Sequence, residues 1–250
     1  MAALFPVEPN QETDQASVMA WGCDPDQLSV DPYAGAHSAV YTSMAKIVAA
    51  GADYKKAYLT LQEFFEKLRN EPQRWGKPFS ALLGALDAQL ELGAAAIGGK
   101  DSMSGSFLDK DVPPTLISFA IAPIQGQQVL SPEFKAADHP VYLFRSEDTK
   151  SAWEAFHALC EAGKVKAAWA VENGLAEAVM KMSFGNRIGF QAGMENVDWY
   201  VPMTGAIVAE LSEDINDPCA VRIGETNEAP FVALPGEAVS IDELLKLNDG

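Results

Sequence analysis

Ile97-Gly98-Gly99-Lys100-Asp101-Ser102-Met103-Ser104-Gly105-Ser106-Phe107 is the stretch around which the rest of the chain is organised. It follows a small apolar run, Ala94 to Ile97, that predicts a strand. After a short charged loop, Thr115 to Ala122 predicts a second strand. Glycine lets a backbone approach an anion closely, amides and hydroxyls donate hydrogen bonds, and lysine supplies charge. Gly98, Gly99, Lys100, Asp101, Ser102 and Ser104 are therefore candidate phosphate-binding residues, with Lys100 as the main contact and the two serines as donors. By pattern alone Gly-Gly-Lys suits an ordinary turn equally well. Asp101 reads either as a cap of the following turn or as a group that orients Lys100.

Working outward, strand and helix patterns alternate. Ser17 to Trp21 predicts a strand, and Ala36 to Ala50 a helix with Val40, Met44 and Ile47 at helical spacing and Gly51 as its stop. Ala57 to Leu61 predicts a strand and Gln62 to Leu68 a helical turn. Pro78 is expected to open a helix whose inward face is Phe79, Leu82, Leu83, Leu86 and Leu90. Residues 1–16 read as an irregular, acidic lead-in. A boundary is expected near Pro123 to Ser131, after which strands at Val141–Phe144, Ala167–Val171 and Thr204–Leu211 alternate with helices around Trp153–Cys160 and Gly174–Phe184. Ser240 and Glu243 carry the spacing of a capped helical turn.

The chain has 250 residues, enough for two domains with a substantial core, and 48% of them are apolar. A formal net charge of −17 argues against nucleic-acid or anionic-membrane partners, which need a basic face. One local basic loop can still hold a small phosphorylated metabolite. Cys23, Cys160 and Cys219 are widely spaced without a C-x-x-C pair, which fits packed thiols in a reducing cytoplasm. No apolar run has the length of a membrane span, and the N-terminus lacks a basic and an apolar signal region. His37, His139 and His157 show no metal-ligand spacing, so no metal site is expected. Glu63 and Glu66 read mainly as one solvated helical side, with a site role for Glu63 as the alternative. No residue receives a catalytic role.

Several segments together resemble phosphoribosylformylglycinamidine synthase. They are Trp75-Gly76-Lys77-Pro78, Ala81 to Leu86, and Ala95 to Phe107 with its Gly-Lys-Asp-Ser-Met-Ser signature, followed by Asp111-Val112-Pro113-Pro114-Thr115. Met19 to Gly22, Asp31 to Ala36, Gln62 to Glu66, Gly174 to Ala178 and Phe184-Gly185-Asn186 extend the resemblance over most of residues 13–212. It implies an α+β fold of the aminoimidazole ribonucleotide synthetase-like kind. An N-terminal domain, a mixed sheet with helices on one face, would span 17–125 and be incomplete. An α/β C-terminal domain, truncated at its end, would span 126–250. The family uses ATP and magnesium to replace the formyl amide oxygen of a phosphorylated ribonucleotide with ammonia derived from glutamine, in purine synthesis. Its synthetase region looks like two fused copies of one unit. This chain resembles the second copy alone, so the resemblance implies a piece of a longer, cytoplasmic enzyme lacking the first copy and the glutaminase domain. Related units pair their N-terminal domains, so a homodimer of the piece is a further expectation.

Two departures qualify the resemblance. Where related synthetases carry acidic or amide magnesium ligands on the first long helix, this chain has Thr42 and Lys46, and Thr60-Leu61-Gln62 offers no Asp at the next strand end. The piece alone is therefore expected not to hydrolyse ATP in its own cleft. The competing expectation is a non-catalytic, nucleotide- or phosphate-binding scaffold half of the same fold. A selenophosphate or thiamine-phosphate kinase-like enzyme shares the architecture but needs an acidic cluster that is missing here.

Overall fold

The structure, a computed structural model, describes residues 1–195 and 197–248, which divide into two compact units. The first comprises Met1–Ile47 and Asp53–Gly126, the second Val48–Ala52 and Gln127–Gly250.

The first unit is built on a five-stranded sheet. In chain order its elements are β1 (Ala2–Leu4), β2 (Gln15–Gly22), α1 (Pro25–Val30), α2 (Pro32–Ala49), β3 (Tyr58–Phe64), α3 (Pro72–Leu92), β4 (Ala95–Lys100), the short pair β5 (Ser106–Phe107) and β6 (Lys110–Asp111), and β7 (Thr115–Gln125). The sheet order is β1-β2-β7-β3-β4, antiparallel except for the parallel β3–β4 pair that α3 joins. The N-terminal stretch expected to be irregular thus contributes an edge strand. In β7, Leu116, Ser118, Ala120, Ala122 and Ile124 are buried and the residues between them are less so, the period-two pattern of a sheet with one covered face. Val18, Leu59, Val40, Met44, Ile47, Ala81, Ala85 and Ala88 are buried with that face.

Three local expectations are corrected here. β3 continues as strand through Phe64, where Gln62 to Leu68 was expected to be helical. α3 begins at Pro72, its favoured first-turn position, and Pro78 lies inside the helix. The inward face of α3 is also the opposite one. Phe79, Leu82, Leu83, Leu86 and Leu90 are exposed, Phe79 at 65% and Leu90 at 71%, whereas Ala81, Gly84, Ala85 and Ala88 are buried. The reason is close approach of two backbones: a Cβ built on Gly84 would stand 2.0 Å from the Tyr33 carbonyl oxygen of α2. Only small side chains fit there. Along the same pair of helices Tyr33 donates to Asp87, His37 Nε2 lies 2.9 Å from Glu91, and Tyr41 donates to Glu91 at 2.7 Å.

The second unit contains β8 (Pro140–Phe144), α4 (Thr149–Glu161), β9 (Val165–Ala170), α5 (Leu175–Phe184), β10 (Gly189–Ala192), β11 (Ile207–Leu211), β12 (Ala220–Asn227), β13 (Phe231–Leu234), β14 (Glu237–Ser240) and α6 (Ile241–Asn248). Its sheet runs β14-β13-β10-β12-β8-β11-β9. β8 and β11 lie inside the sheet and are buried along their whole length, which accounts for their continuous apolar character. Phe134, Leu175, Val179, Met182, Phe190 and Trp199 form the main cluster. Glu210 is fully buried and accepts from the backbone amides of Lys135 (2.7 Å) and Ala136 (3.2 Å) and pairs with His139 Nδ1 at 2.6 Å. His139, just before β8, thus holds the buried Glu210 carboxyl through a hydrogen bond. Ser240 Oγ accepts from the Glu243 amide at 3.2 Å, the capping bond expected for α6.

Candidate functional site

The signature segment begins as strand and only then becomes loop. Gly98, Gly99 and Lys100 belong to β4, an edge strand paired on one side only, in register with Thr60, Leu61 and Gln62. The register slips between Leu59 and Thr60. A Cβ on Gly99 would lie 2.4 Å from the Leu61 carbonyl oxygen, whereas one on Gly98 would meet nothing within 4 Å. Gly99 is thus demanded by packing and Gly98 leaves an open backbone on the surface.

The loop proper, 101–105, is sewn to the end of β3 by backbone bonds. Ser102 N donates to Glu63 O (3.1 Å), Phe65 N to Ser102 O (2.9 Å) and Gly105 N to Phe65 O (2.9 Å). The Ser102 and Ser104 hydroxyls are 2.8 Å apart. Lys100, Asp101 and Ser104 are exposed, and among the described residues the side chains of Lys100 and Asp101 enter no hydrogen bond or ion pair. Asp101 therefore neither caps the turn nor holds Lys100. All six candidates come together on one short path, with a free ammonium, two hydroxyls and an open glycine backbone. That donor set suits an oxyanion.

Beyond the loop, the hairpin β5–β6 is fastened by charges that the sequence reading did not identify. Ser106 Oγ accepts from Lys67 N (2.9 Å) and donates to Asp111. Arg74, in the first turn of α3, bonds Asp111 at 2.8 Å and Glu71 at 2.8 Å and lies 3.5 Å from Glu66. Lys77 adds a 3.0 Å bond to Glu66. The Arg74 bond, with that from Ser106, holds the Asp111 carboxyl below its ordinary range, and Asp111 with Glu71 stabilises the Arg74 cation. Only the Trp75-Gly76-Lys77-Pro78 part of the resemblance hinted at this helix start.

Glu63 and Glu66 are both buried, at 4% and 6% exposure, so the solvated-face expectation does not hold. Glu66 has its two cations. Glu63 has none, and its Oε1 is closed to solvent without a hydrogen-bond partner. Burial first, and then the neighbouring Asp101 carboxylate, push the Glu63 carboxyl up to about 7.

The residues on α2 do not fit a magnesium ion. Lys46 donates to the Trp21 carbonyl at 3.1 Å and stands 4.6 Å from the centre of the Trp21 ring, which places a fixed cation where a metal would need oxygen ligands. Among the described residues no group of three His, Cys, Asp or Glu side chains could hold a metal. No helix of the described residues is long and apolar enough to cross a membrane. The three cysteines are free, and burial pushes Cys160 up to about 12, far from a reactive thiolate. In the second unit a groove of about 310 Å³ is lined by Gln191, Gly193, Arg222, Gly224 and Glu225. Its one cation, Arg222, is engaged by Asp214 and Glu225.

No family model matches the sequence, and no curated protein matches it. Solved structures do. PurLQS from Thermotoga maritima superposes with a TM-score of 0.74 at 13% identity, over 92% of this chain and 44% of that one. T. maritima PurL complexed with FGAR gives 0.73 at 14%, over 92% and 46%. Thiamine monophosphate kinase from Aquifex aeolicus gives 0.62 at 10%, over 90% and 89%. The chain therefore has the α+β, aminoimidazole ribonucleotide synthetase-like fold expected from its signature segment, and it spans a little under half the length of the PurL chains it matches.

Proposed function

We propose that this chain is a synthetase-like half of an ATP-dependent carbon–nitrogen ligase of the phosphoribosylformylglycinamidine synthase kind, and that its Gly98–Ser104 segment holds a phosphate. The observation that carries the reading is the unpaired Lys100 beside two hydroxyls on an open glycine strand, in a fold shared with PurL structures that include complexes with ATP and with FGAR. The parent reaction would join glutamine-derived ammonia to formylglycinamide ribonucleotide in the cytoplasm. Lys46, in place of a metal ligand, supports a half that binds phosphate without hydrolysing ATP itself.

The partner would be a second synthetase-like unit. Met19, Trp21, Tyr58 and Ile97 on the sheet and the outer stripe of α3 expose large apolar side chains, more than a solitary domain ordinarily leaves in water. In the chain by itself a second copy takes that place, and light scattering then reads a dimer.

Titration calorimetry with ATP, with and without magnesium, tests the reading. Weak binding indifferent to magnesium and lost in Lys100→Ala is the expected result. Tight, magnesium-dependent binding, or binding untouched by Lys100→Ala, would overturn it.

A further inference from the structure

The large apolar side chains on the outside of α3 are not scattered. Phe79, Leu83, Leu86 and Leu90 follow one another at spacings of four, three and four, the repeat of a helix that pairs with another helix along a narrow seam. Leu82 lies beside the seam, and Trp75, one turn before Phe79, is also exposed. On the other side of the same helix Ala81, Gly84, Ala85 and Ala88 are buried, with Gly84 against α2.

No charge interrupts the seam. α3 carries four ionisable side chains, and each is turned to a partner in its own chain: Arg74 to Glu71 and Asp111, Lys77 to Glu66, Asp87 to Tyr33, and Glu91 to His37 and Tyr41. In a chain of net charge −17 an uncharged stripe is a place where two copies approach without repulsion.

The stripe is also a different surface from the open face of the sheet. Met19 and Tyr58 both stand in register with Ile121 of β7, and Trp21 with Phe119. Those residues alternate with Ser118, whose hydroxyl lies 2.9 Å from that of Ser43 on α2. Since α3 packs in the layer with α2, a partner seated on the open face leaves the stripe bare.

We propose that α3 pairs with the α3 of a second copy, antiparallel across a two-fold axis. The inference rests on the second-copy reading above and assigns that copy to the helix. An axis between Leu83 and Leu86 sets Leu83 against Leu86 of the other copy and Phe79 against Leu90, so the patch is complementary to itself. Antiparallel pairing also brings the basic start of one helix, Arg74 and Lys77, beside the acidic end of the other, Asp87 and Glu91, where parallel pairing would set like beside like. At roughly 200 Å² for a whole side chain, the five stripe residues and Trp75 offer roughly 650 Å² per copy and roughly 1,300 Å² per pair, within the range of stable, specific interfaces.

Sedimentation equilibrium of the intact chain should read a dimer. Leu90→Lys changes an exposed side chain and leaves the buried face of the helix alone; it should raise the dissociation constant by about a hundredfold or more, with an unchanged circular dichroism spectrum. Met19→Lys, on the open sheet face, should leave the dimer intact. Chains carrying Phe79→Cys, mixed with chains carrying Leu90→Cys, should cross-link to each other on oxidation and not to their own kind through those positions. A dimer lost in Met19→Lys and kept in Leu90→Lys overturns the α3 seam and leaves a second copy on the sheet. Cross-links between like chains at position 79 or 90 mean parallel helices and overturn the antiparallel pairing. A wild-type chain that stays monomeric overturns the seam and the second-copy reading together.

Discussion

Replacing Glu63 by Gln should remove a pH dependence of stability from the first unit. The folded-state carboxyl sits at about 7 against an ordinary 4.5. Between those values the unfolded chain has released a proton that the folded chain still carries. Stability is therefore greatest below the lower value, falls as pH rises through the window, and levels off above the upper one. At about 1.4 kcal/mol per pH unit the whole window corresponds to roughly 3–4 kcal/mol. Gln keeps the shape and never ionises, so the variant should match the wild type near pH 5 and exceed it by about 2–3 kcal/mol near pH 8. Amide hydrogen exchange along the β3–β7 ladder, measured at both pH values, reports this unit separately from the second. Parallel stabilities for the two proteins at both pH values would refute the reasoning, because they would mean that Glu63 ionises in the folded chain as it does in the unfolded one.

Other outcomes follow from the same geometry. Gly99→Ala drives a Cβ against the Leu61 carbonyl and should cost about 1–3 kcal/mol by urea denaturation, while Gly98→Ala, facing open space, should change stability by less than about 0.5 kcal/mol. Arg74→Ala leaves Asp111 and Glu71 without that partner and Glu66 with Lys77 alone; thermal unfolding should show a lowered midpoint, and exchange at the Ser106 to Asp111 hairpin should rise. Lys100→Ala should leave stability within about 0.5 kcal/mol of wild type, since its side chain is exposed and unpaired, so any loss of ATP binding reports contact and not unfolding. Cys160, with its thiol pushed up to about 12, should stay unreactive to a thiol reagent near pH 8 in the folded chain and become reactive in urea.

The place of the site was legible because its chemistry is contiguous. Gly98 to Ser104 needs no distant residue to bring its ammonium, hydroxyls and glycine backbone together, and it runs from the end of the first strand its apolar flanks predict into the loop that follows. The clamp behind it was not legible. Arg74, Glu66 and Asp111 lie 8 and 37 or more positions apart as pairs on different elements, and no local pattern distinguishes them from surface charge. The burial of Glu63 escaped for a related reason. Read as a helix, Gln62 to Leu68 puts both glutamates on a wet side; as the end of a strand, the same residues alternate and turn Glu63 into the core.

Local composition and spacing by themselves determined the alternation of strands and helices, the α+β layering and the signature segment, since these depend on periodicity and on side chains adjacent in the chain. Tertiary structure alone decided which face of α3 is inside. Hydrophobicity marks Phe79, Leu82, Leu83, Leu86 and Leu90 as a core stripe, but α2 approaches so closely at Tyr33 that only Ala81, Gly84, Ala85 and Ala88 fit between the helices. Size at the contact overrides apolar area there, because a close-packed interface has no room for a large side chain however favourable its transfer from water. Tertiary structure alone likewise decided that Glu63, at the end of β3, is buried while its own carbonyl accepts from the Ser102 amide.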